Sequence, residues 1–215
     1  MTFEEATREA ALAAGDAVNQ AMRKYRQGRV VDEDDLTGVL VGQLDAALEG
    51  TIGGLTWDTS ILRHRRGQAA EEKEYGADLL IHVAFDTSTE KFSKGVLVQS
   101  KKVEPNERMG NSEQRELKDQ CKRMLAVMPS AFIFDYAKGS MRCGSAIRIG
   151  GSSRRDLYKV CGWTPYRFFL ELFRCPIGDH RIKSALVQDL PARWGLAITA
   201  QGELSDEITG PLRLF

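Results

Sequence analysis

Two apolar runs separated by a short loop constrain the fold of this 215-residue chain more than any other feature. The runs read GADLLIHVAF over residues 76–85 and KGVLVQSKKV over residues 94–103. Branched apolar residues favour strands, and the short loop predicts an antiparallel hairpin with its turn centred near Glu90. With this register Asp78, near the start of the first run, lies opposite residues 101–102 at the end of the second.

Polar side chains gather where the two predicted strands end. Side chains alternate between the faces of a strand, so Gln99 and Lys101 share one surface, and Asp78 is within diagonal reach of both. Carboxylate and amide oxygens are ligands that suit a hard cation such as Mg²⁺, and a fixed ammonium stabilises charge that develops on a phosphate. The cluster predicts metal-assisted phosphodiester hydrolysis. An ordinary cross-strand ion pair between Asp78 and Lys101 or Lys102 is the alternative.

The other periodic segments predict an α/β fold. A capping box of Thr2 and Glu5 and a stripe of alanines predict a helix over about 2–27. Further helices are predicted over about 33–49 and 112–128, the last capped by Ser112, and further strands over about 57–62 and 130–136. Residues 139–150 predict a strand pair or one long edge strand, and a helix is expected from Pro165 onward. This order predicts a mixed central sheet flanked by helices in a single domain of residues 1–215. We expect a core over about 32–150, an N-terminal helix, and a C-terminal helical extension over about 151–215.

Charge is distributed unevenly along a chain with zero formal net charge. Residues 1–92 carry 10 Lys and Arg against 17 Asp and Glu, and residues 93–215 carry 20 against 13. This distribution permits a basic face for a polyanion, although charged runs are more often simply solvated. No stretch approaches the roughly 18 apolar residues of a membrane span, and no signal-peptide core is evident, so we expect a cytoplasmic protein that does not bind membranes.

The segment GAD, followed by a strand, a variable hairpin and VLVQSKK, resembles the PD-(D/E)XK nuclease superfamily in its Mrr-like, restriction-endonuclease-like branch. That family's pattern is an aspartate, then an acidic residue or glutamine, one spacer and a lysine, and it maps onto Asp78, Gln99 and Lys101. The resemblance covers about residues 32–136 and includes the order helix, three strands, helix, strand. It implies cleavage of nucleic acid, chiefly DNA, with Mg²⁺ or Mn²⁺, often in restriction or anti-phage defence.

Two residues depart from the family pattern. Ala77 replaces the usual proline, which is a tolerated variation, and Gln99 replaces the commoner glutamate. Because a glutamine ligand is neutral, metal affinity should fall unless another acid assists. The family often supplies one from its first core helix, which implies Glu33 as a metal ligand, with Asp35 second. In the alternative interpretation, these acids only complement the positive end of the helix dipole.

The resemblance also implies supporting residues around the site. Glu72 lies in the loop before Asp78, Gln120 lies on the helix after the motif strand, and Tyr136 ends the fourth strand. Gln120 and Tyr136 would hold the lysine or contact phosphate, whereas Glu72 in a solvated loop and Tyr136 at the core edge are the alternatives. Six basic residues are candidates for phosphate contacts: Arg63, Arg65, Arg66, Lys102, Arg154 and Arg155.

The four cysteines show no CxxC pairing. A zinc site built from Cys161, Cys175 and His180 is conceivable, but buried free thiols are the more economical interpretation. Three functions stay open at this point. The first is a metal-dependent DNA endonuclease, the second a nucleic-acid-binding or assembly module with a degenerate nuclease fold, and the third a repair or junction-resolving nuclease. Partners other than nucleic acid would be a second copy of the chain or a sensor protein.

Overall fold

The computed structural model describes residues 1–63, 75–183 and 192–205. Within those ranges the chain has an α/β fold in which helices flank a seven-stranded mixed sheet, as the sequence predicted. None of the described helices combines the length and apolarity needed to cross a bilayer. The elements in chain order are α1 (Phe3–Arg26), α2 (Glu33–Ala47), β1 (Gly50–Ile52), β2 (Leu55–Arg63), β3 (Leu79–Thr87), β4 (Lys91–Lys101), α3 (Asn111–Val127), β5 (Ala131–Tyr136), β6 (Met141–Ser145), α4 (Ala146–Gly150), α5 (Leu157–Val160), α6 (Pro165–Phe173) and β7 (Trp194–Gly202).

Helix α1 forms where its capping box and alanine stripe predict it. The Thr2 side chain accepts a hydrogen bond from the Glu5 N–H at 3.2 Å, and the Glu5 carboxylate accepts one from the Thr2 N–H at 2.9 Å. Its small buried residues let α1 approach α6 closely, with the Cβ of Tyr166 only 3.7 Å from where a Cβ on Gly15 would lie. Helices α1, α2 and α6 cover one face of the sheet, the first apolar layer.

The β3–β4 hairpin has a different register from the predicted one. Leu79 pairs with Val98 and Asp86 with Lys91. The turn is therefore centred between residues 88 and 89 instead of near Glu90, and Glu90 closes it by accepting a hydrogen bond from the Thr87 N–H at 3.0 Å. Asp78 consequently lies level with Gln99 and not with residues 101–102.

Helix α3 connects β4 to β5, which run parallel. The helix begins after Gly110, whose N–H donates to the Glu113 carboxylate at 3.2 Å, so the predicted cap at Ser112 is wrong by two residues. The parallel pairing places Lys101 beside Asp135, because the two strands end in the same direction. Helices α3, α4 and α5 cover the second face of the sheet, the second apolar layer.

The predicted C-terminal helical extension is wrong for residues 194–202, which form a strand. Residues 194–202 form β7, which lies in the middle of the sheet between β2 and β3, antiparallel to β2 and parallel to β3. The segment 139–150 also differs from its prediction, since only β6 is a strand and α4 follows it at once. Ser145 starts that helix by accepting a hydrogen bond from the Arg148 N–H at 3.4 Å. The carboxyl-terminal part of the chain therefore completes the sheet.

Helix α2 meets β7 at a glycine. A Cβ atom on Gly38 would lie 2.9 Å from Cζ2 of Trp194, whereas a Cβ on Gly42 would have no neighbour within 4 Å. Gly38→Ala should therefore make the protein about 1–3 kcal/mol less stable than Gly42→Ala, which itself should gain about 0.5–1 kcal/mol from helix propensity. Urea unfolding of the two variants measures the difference. Equal stabilities would show that α2 and Trp194 do not pack in this way.

Candidate metal and nucleic-acid site

Asp78 is held between two strands. Its N–H donates to the Val98 carbonyl oxygen of β4 at 2.9 Å, and its carbonyl oxygen accepts from the Trp194 N–H of β7 at 2.9 Å. Trp194 can approach α2 because the helix carries a glycine there, at Gly38. The main chain of the predicted metal ligand is thus fixed on both sides, although only one of the two anchoring strands belongs to the predicted hairpin.

The side chains of Asp78 and Gln99 meet, as the sequence predicted. One carboxylate oxygen of Asp78, Oδ2, accepts hydrogen bonds from Gln99 Nε2 and from the Ser100 N–H, both at 2.7 Å. Gln99 Nε2 also donates to the Ser100 carbonyl oxygen at 3.0 Å. The amide oxygen, Gln99 Oε1, is buried and accepts no hydrogen bond from the described residues. An acceptor of this kind is costly to bury unless a donor or a cation reaches it.

Lys101 faces an acid from the neighbouring helix. Its Nζ lies 3.7 Å from Oε1 of Glu33, at the start of α2, and only 13% of the Lys101 side chain is exposed. The predicted supporting acid is therefore present beside the predicted lysine. Asp35, the second candidate, follows Glu33 by two residues in the same first helical turn, where acids also complement the helix dipole.

Three hydroxyl groups lie behind the site, in the first apolar layer. The Ser100 hydroxyl is 3.0 Å from Tyr136 OH and 3.0 Å from Thr37 Oγ1, and the last two are 3.2 Å apart. Tyr136 is completely buried, and this burial raises the pKa of its phenol well above its ordinary value. This position agrees with the alternative interpretation, in which Tyr136 belongs to the edge of the core, and its role in holding the lysine or contacting phosphate stays a prediction. Tyr136 fixes Ser100, whose N–H binds Asp78.

Gln120 supports the segment that leads into Asp78. A Cβ on Gly76 would lie 2.8 Å from the main-chain oxygen of Gln120, and Gly76 has a φ of +71°, so α3 packs directly on a turn that requires glycine. No hydrogen bond in the described ranges joins Gln120 to Lys101. No contact therefore supports the predicted role of Gln120 in holding the lysine. Gln120 instead packs on Gly76 through its main-chain atoms.

Comparisons with protein-family models, with curated proteins and with solved structures find no match to this chain. The function of the site must therefore be inferred from its geometry and from the chemistry of its residues.

Asp135 is a site residue that the sequence analysis missed. It is fully buried in β5 beside Lys101, its Oδ1 accepts from the Val103 N–H at 3.0 Å, and its Oδ2 has no partner among the described residues. Burial raises the pKa of this carboxyl to about 7. The signal was available in the sequence, because SAFIFDY places one acid within an otherwise apolar strand.

The predicted phosphate-binding residues are engaged within the protein or lie outside the described residues. Lys102 Nζ donates to the Val31 carbonyl oxygen at 2.8 Å. Arg154 makes two hydrogen bonds to Asp156, at 2.9 and 2.6 Å, and is 56% exposed. Arg155 donates to the side-chain oxygen of Asn111 at 2.8 Å. The structure does not describe the Arg63 side chain or the residues Arg65, Arg66 and Glu72.

The alternative zinc site does not form. Cys161 is buried in the second apolar layer, whereas Cys175 is exposed after α6 with its sulfur 3.3 Å from Nε2 of His180. Over the residues with described positions, no group of three or more His, Cys, Asp or Glu side chains could hold a metal ion. All four cysteines are free thiols. Three of them are buried, as predicted, whereas Cys175 is exposed.

Asp135→Asn should remove a pH-dependent loss of stability. The folded protein retains the Asp135 proton up to a pKa of about 7, whereas an unperturbed aspartate releases it near 3.8. Wild-type stability therefore falls as the pH rises through this interval, which corresponds to at most about 4 kcal/mol. Asparagine keeps an oxygen for the Val103 N–H and cannot ionise.

Urea unfolding between pH 4.5 and 7.5 measures this effect. The free energy of unfolding of Asp135→Asn should rise relative to wild type as the pH increases, while the exposed-site control Asp86→Asn should not show this trend. A constant difference between wild type and Asp135→Asn at every pH would contradict the assignment.

Proposed function

We propose that this protein hydrolyses phosphodiester bonds of nucleic acid with a divalent metal, as a DNA endonuclease of the PD-(D/E)XK type that serves restriction or anti-phage defence. The observation that carries the proposal is the contact between Asp78 and Gln99 at the end of a buried hairpin, two residues before Lys101 on the same strand. This is the residue set that the family resemblance requires. It lies where two strands are held rigidly, which suits a site that must be preorganised.

The order of elements supports the same proposal. Helix α2, strands β2, β3 and β4, helix α3 and strand β5 follow the order of helix, three strands, helix and strand along the chain. Two strands depart from that order: β1 is a short addition before β2, and β7 lies between β2 and β3 in the sheet. The part that carries the site, from β3 to β5, keeps an antiparallel hairpin followed by a parallel strand.

The proposed ion is a hard cation such as Mg²⁺ or Mn²⁺, and Asp78, Gln99 and Glu33 are the residues that would hold it. The supporting observation is Gln99 Oε1, a buried amide oxygen that accepts no hydrogen bond from the described residues. Rotation of the amide group about its terminal torsion would turn this oxygen toward Asp78 without moving the strand. When bound, the ion would lower the pKa of a water molecule and neutralise charge on the phosphate.

Lys101 supplies a positioned positive charge. Its long stem is mostly covered by protein, so the ammonium has little freedom and can be held near an attacking water or a phosphate oxygen. Glu33 lies 3.7 Å from it and balances its charge in the resting protein. A phosphate that approaches Lys101 would compete with Glu33 for the ammonium.

One contact favours a second candidate, a nucleic-acid-binding or assembly module with a degenerate nuclease fold. Gln99 presents its Nε2 group to Asp78, so the amide satisfies the carboxylate oxygen that a metal would use. In such a module Gln99 would replace the cation permanently. A nuclease with a repair or junction-resolving task would share the catalytic residues and differ in its preference for branched DNA.

The Gln99→Glu variant separates the two candidates. In the nuclease, a second carboxylate should strengthen metal binding and lower the Mg²⁺ concentration for half-maximal cleavage by about tenfold. Without metal the two neighbouring carboxylates repel, so Gln99→Glu should melt at a lower temperature than wild type and recover on addition of Mg²⁺. Asp78→Asn and Lys101→Met should each lower cleavage by about 100-fold or more.

Digestion of plasmid, branched DNA, single-stranded DNA and RNA, with and without EDTA, measures activity. Asp86→Asn and Lys91→Met are matched controls, since both residues are exposed at the far end of the same two strands and pair with each other at 2.9 Å. The nuclease proposal fails if neither wild type nor Gln99→Glu cuts any substrate and Mg²⁺ leaves both melting temperatures unchanged. Nucleic-acid binding without cleavage would then support the module.

A further inference from the structure

A cysteine and a histidine meet near the start of β4, at the opposite end of that strand from the candidate metal site. Cys175 Sγ lies 3.3 Å from His180 Nε2, and His180 Nδ1 lies 3.1 Å from the Ser93 carbonyl oxygen. A carbonyl oxygen only accepts hydrogen bonds, so Nδ1 carries the proton of the neutral ring and Nε2 is left as an acceptor. The thiol therefore faces a base, and a third group orients that base.

A buried lysine completes the cluster. Lys94 is fully buried, and its Nζ has no hydrogen-bond acceptor among the described residues. Burial lowers the pKa of Lys94 to about 8, and the neighbouring Cys175 sulfur offsets part of that change. An ammonium buried without a counter-charge is costly, and an anionic sulfur at Cys175 would relieve that cost.

The loop that carries Cys175 packs directly on the Lys94 side chain. Gly178 has a φ of +116°, and a Cβ there would lie 2.5 Å from Cδ of Lys94, so only glycine allows this approach. Two hydrogen bonds between Gly95 and Asp179, at 3.1 and 2.8 Å, fasten the loop to β4. The turn between Cys175 and His180 is thus fixed on β4, and this keeps the two side chains in contact.

Cys175 also occupies a strained position. Its φ is +82°, and among the described residues it is the only one other than glycine with positive φ. It follows the C-terminal cap of α6, where glycine is usual because other residues are strained at positive φ. The C-terminal end of the helix disfavours a negative charge, so an anionic sulfur would depend on Lys94. A cysteine in this strained backbone conformation indicates that its side chain has a function.

The site opens into a cavity of about 540 Å³. Phe3 and Phe92 line it, together with Glu4, Glu90, Arg174 and Cys175. The Arg174 guanidinium donates to the Glu4 carboxylate through Nη2 at 2.6 Å. An apolar wall beside an exposed thiol suits a small molecule that reaches Cys175.

We propose that Cys175 is a nucleophilic thiol that exchanges with small disulfides. The Cys175 proton passes to His180 Nε2 as the sulfur attacks one sulfur of the disulfide. A new S–S bond to Cys175 forms while the original S–S bond breaks, and the departing thiolate takes the proton from His180. The protein ends as a mixed disulfide, and the released thiol balances the reaction. This inference does not depend on the nuclease proposal.

The other three thiols leave Cys175 as the single reactive position. Burial raises the pKa of Cys121 to about 12, and it raises the pKa values of Cys143 and Cys161 well above the ordinary range. Buried thiols of this kind react slowly. One equivalent of a disulfide reagent should therefore be consumed rapidly by the folded protein.

The test measures the rate of reaction of the reduced full chain with dithiobis(nitrobenzoate), a disulfide with carboxylates, at neutral pH. Intact-mass analysis counts the adducts, and glutathione disulfide serves as a second reagent. A peptide of residues 170–180 has the same cysteine and histidine without the fold. The folded protein should react about tenfold faster than this peptide, and Cys175→Ser should abolish the fast phase.

Variants of the neighbours separate the proposed roles. His180→Gln and Lys94→Met should each lower the rate about fivefold or more, while Lys91→Met, an exposed lysine on the same strand, should not. Circular dichroism checks that each variant is folded.

Two outcomes would overturn the proposal: a wild-type rate no faster than the peptide, or rates unaffected in both folded neighbour variants.

Discussion

The candidate site depends on the way the main chain of Asp78 is tied to both neighbouring strands. Its N–H binds Val98 of β4 and its carbonyl oxygen binds Trp194 of β7, so the residue lies inside the sheet and not at a free edge. The carboxylate can then accept from Gln99 and from the Ser100 main chain at 2.7 Å each. Because strands paired on both sides resist displacement, the geometry of these groups is set before any ligand arrives.

Burial governs the electrostatics on both faces of this strand end. On the first face, the Ser100 hydroxyl is fixed by Thr37 and Tyr136, both buried and neutral. On the second, Asp135 lies beside Lys101, and its carboxyl is partly protonated near neutral pH because its surroundings disfavour the charged form. The charged side chains that remain at this strand end are then Asp78, Lys101 and Glu33, which are the groups that a metal or a phosphate could contact.

Local sequence signals were sufficient for much of the fold. The capping box of Thr2 and Glu5 predicted α1, and alternating apolar residues predicted the hairpin and the shared face of Gln99 and Lys101. The pairing register was missed, because it is set by hydrogen bonds between Thr87 and Glu90 in the turn and not by the strand pattern. The sequence left two roles for Tyr136 open, since a tyrosine at a strand end has the same pattern whether its hydroxyl is exposed or buried.

The sequence by itself determined helices α1, α2, α3 and α6 and strands β2 to β5, and that an acid, an amide and an ammonium come from the ends of one hairpin. Only the tertiary structure decided that β7 lies between β2 and β3, that Glu33 faces Lys101, and that Gln99 presents its nitrogen to Asp78. The reason is physical. Periodicity reports how a segment divides its side chains between core and solvent, whereas strand neighbours and side-chain partners depend on packing between residues far apart in the chain.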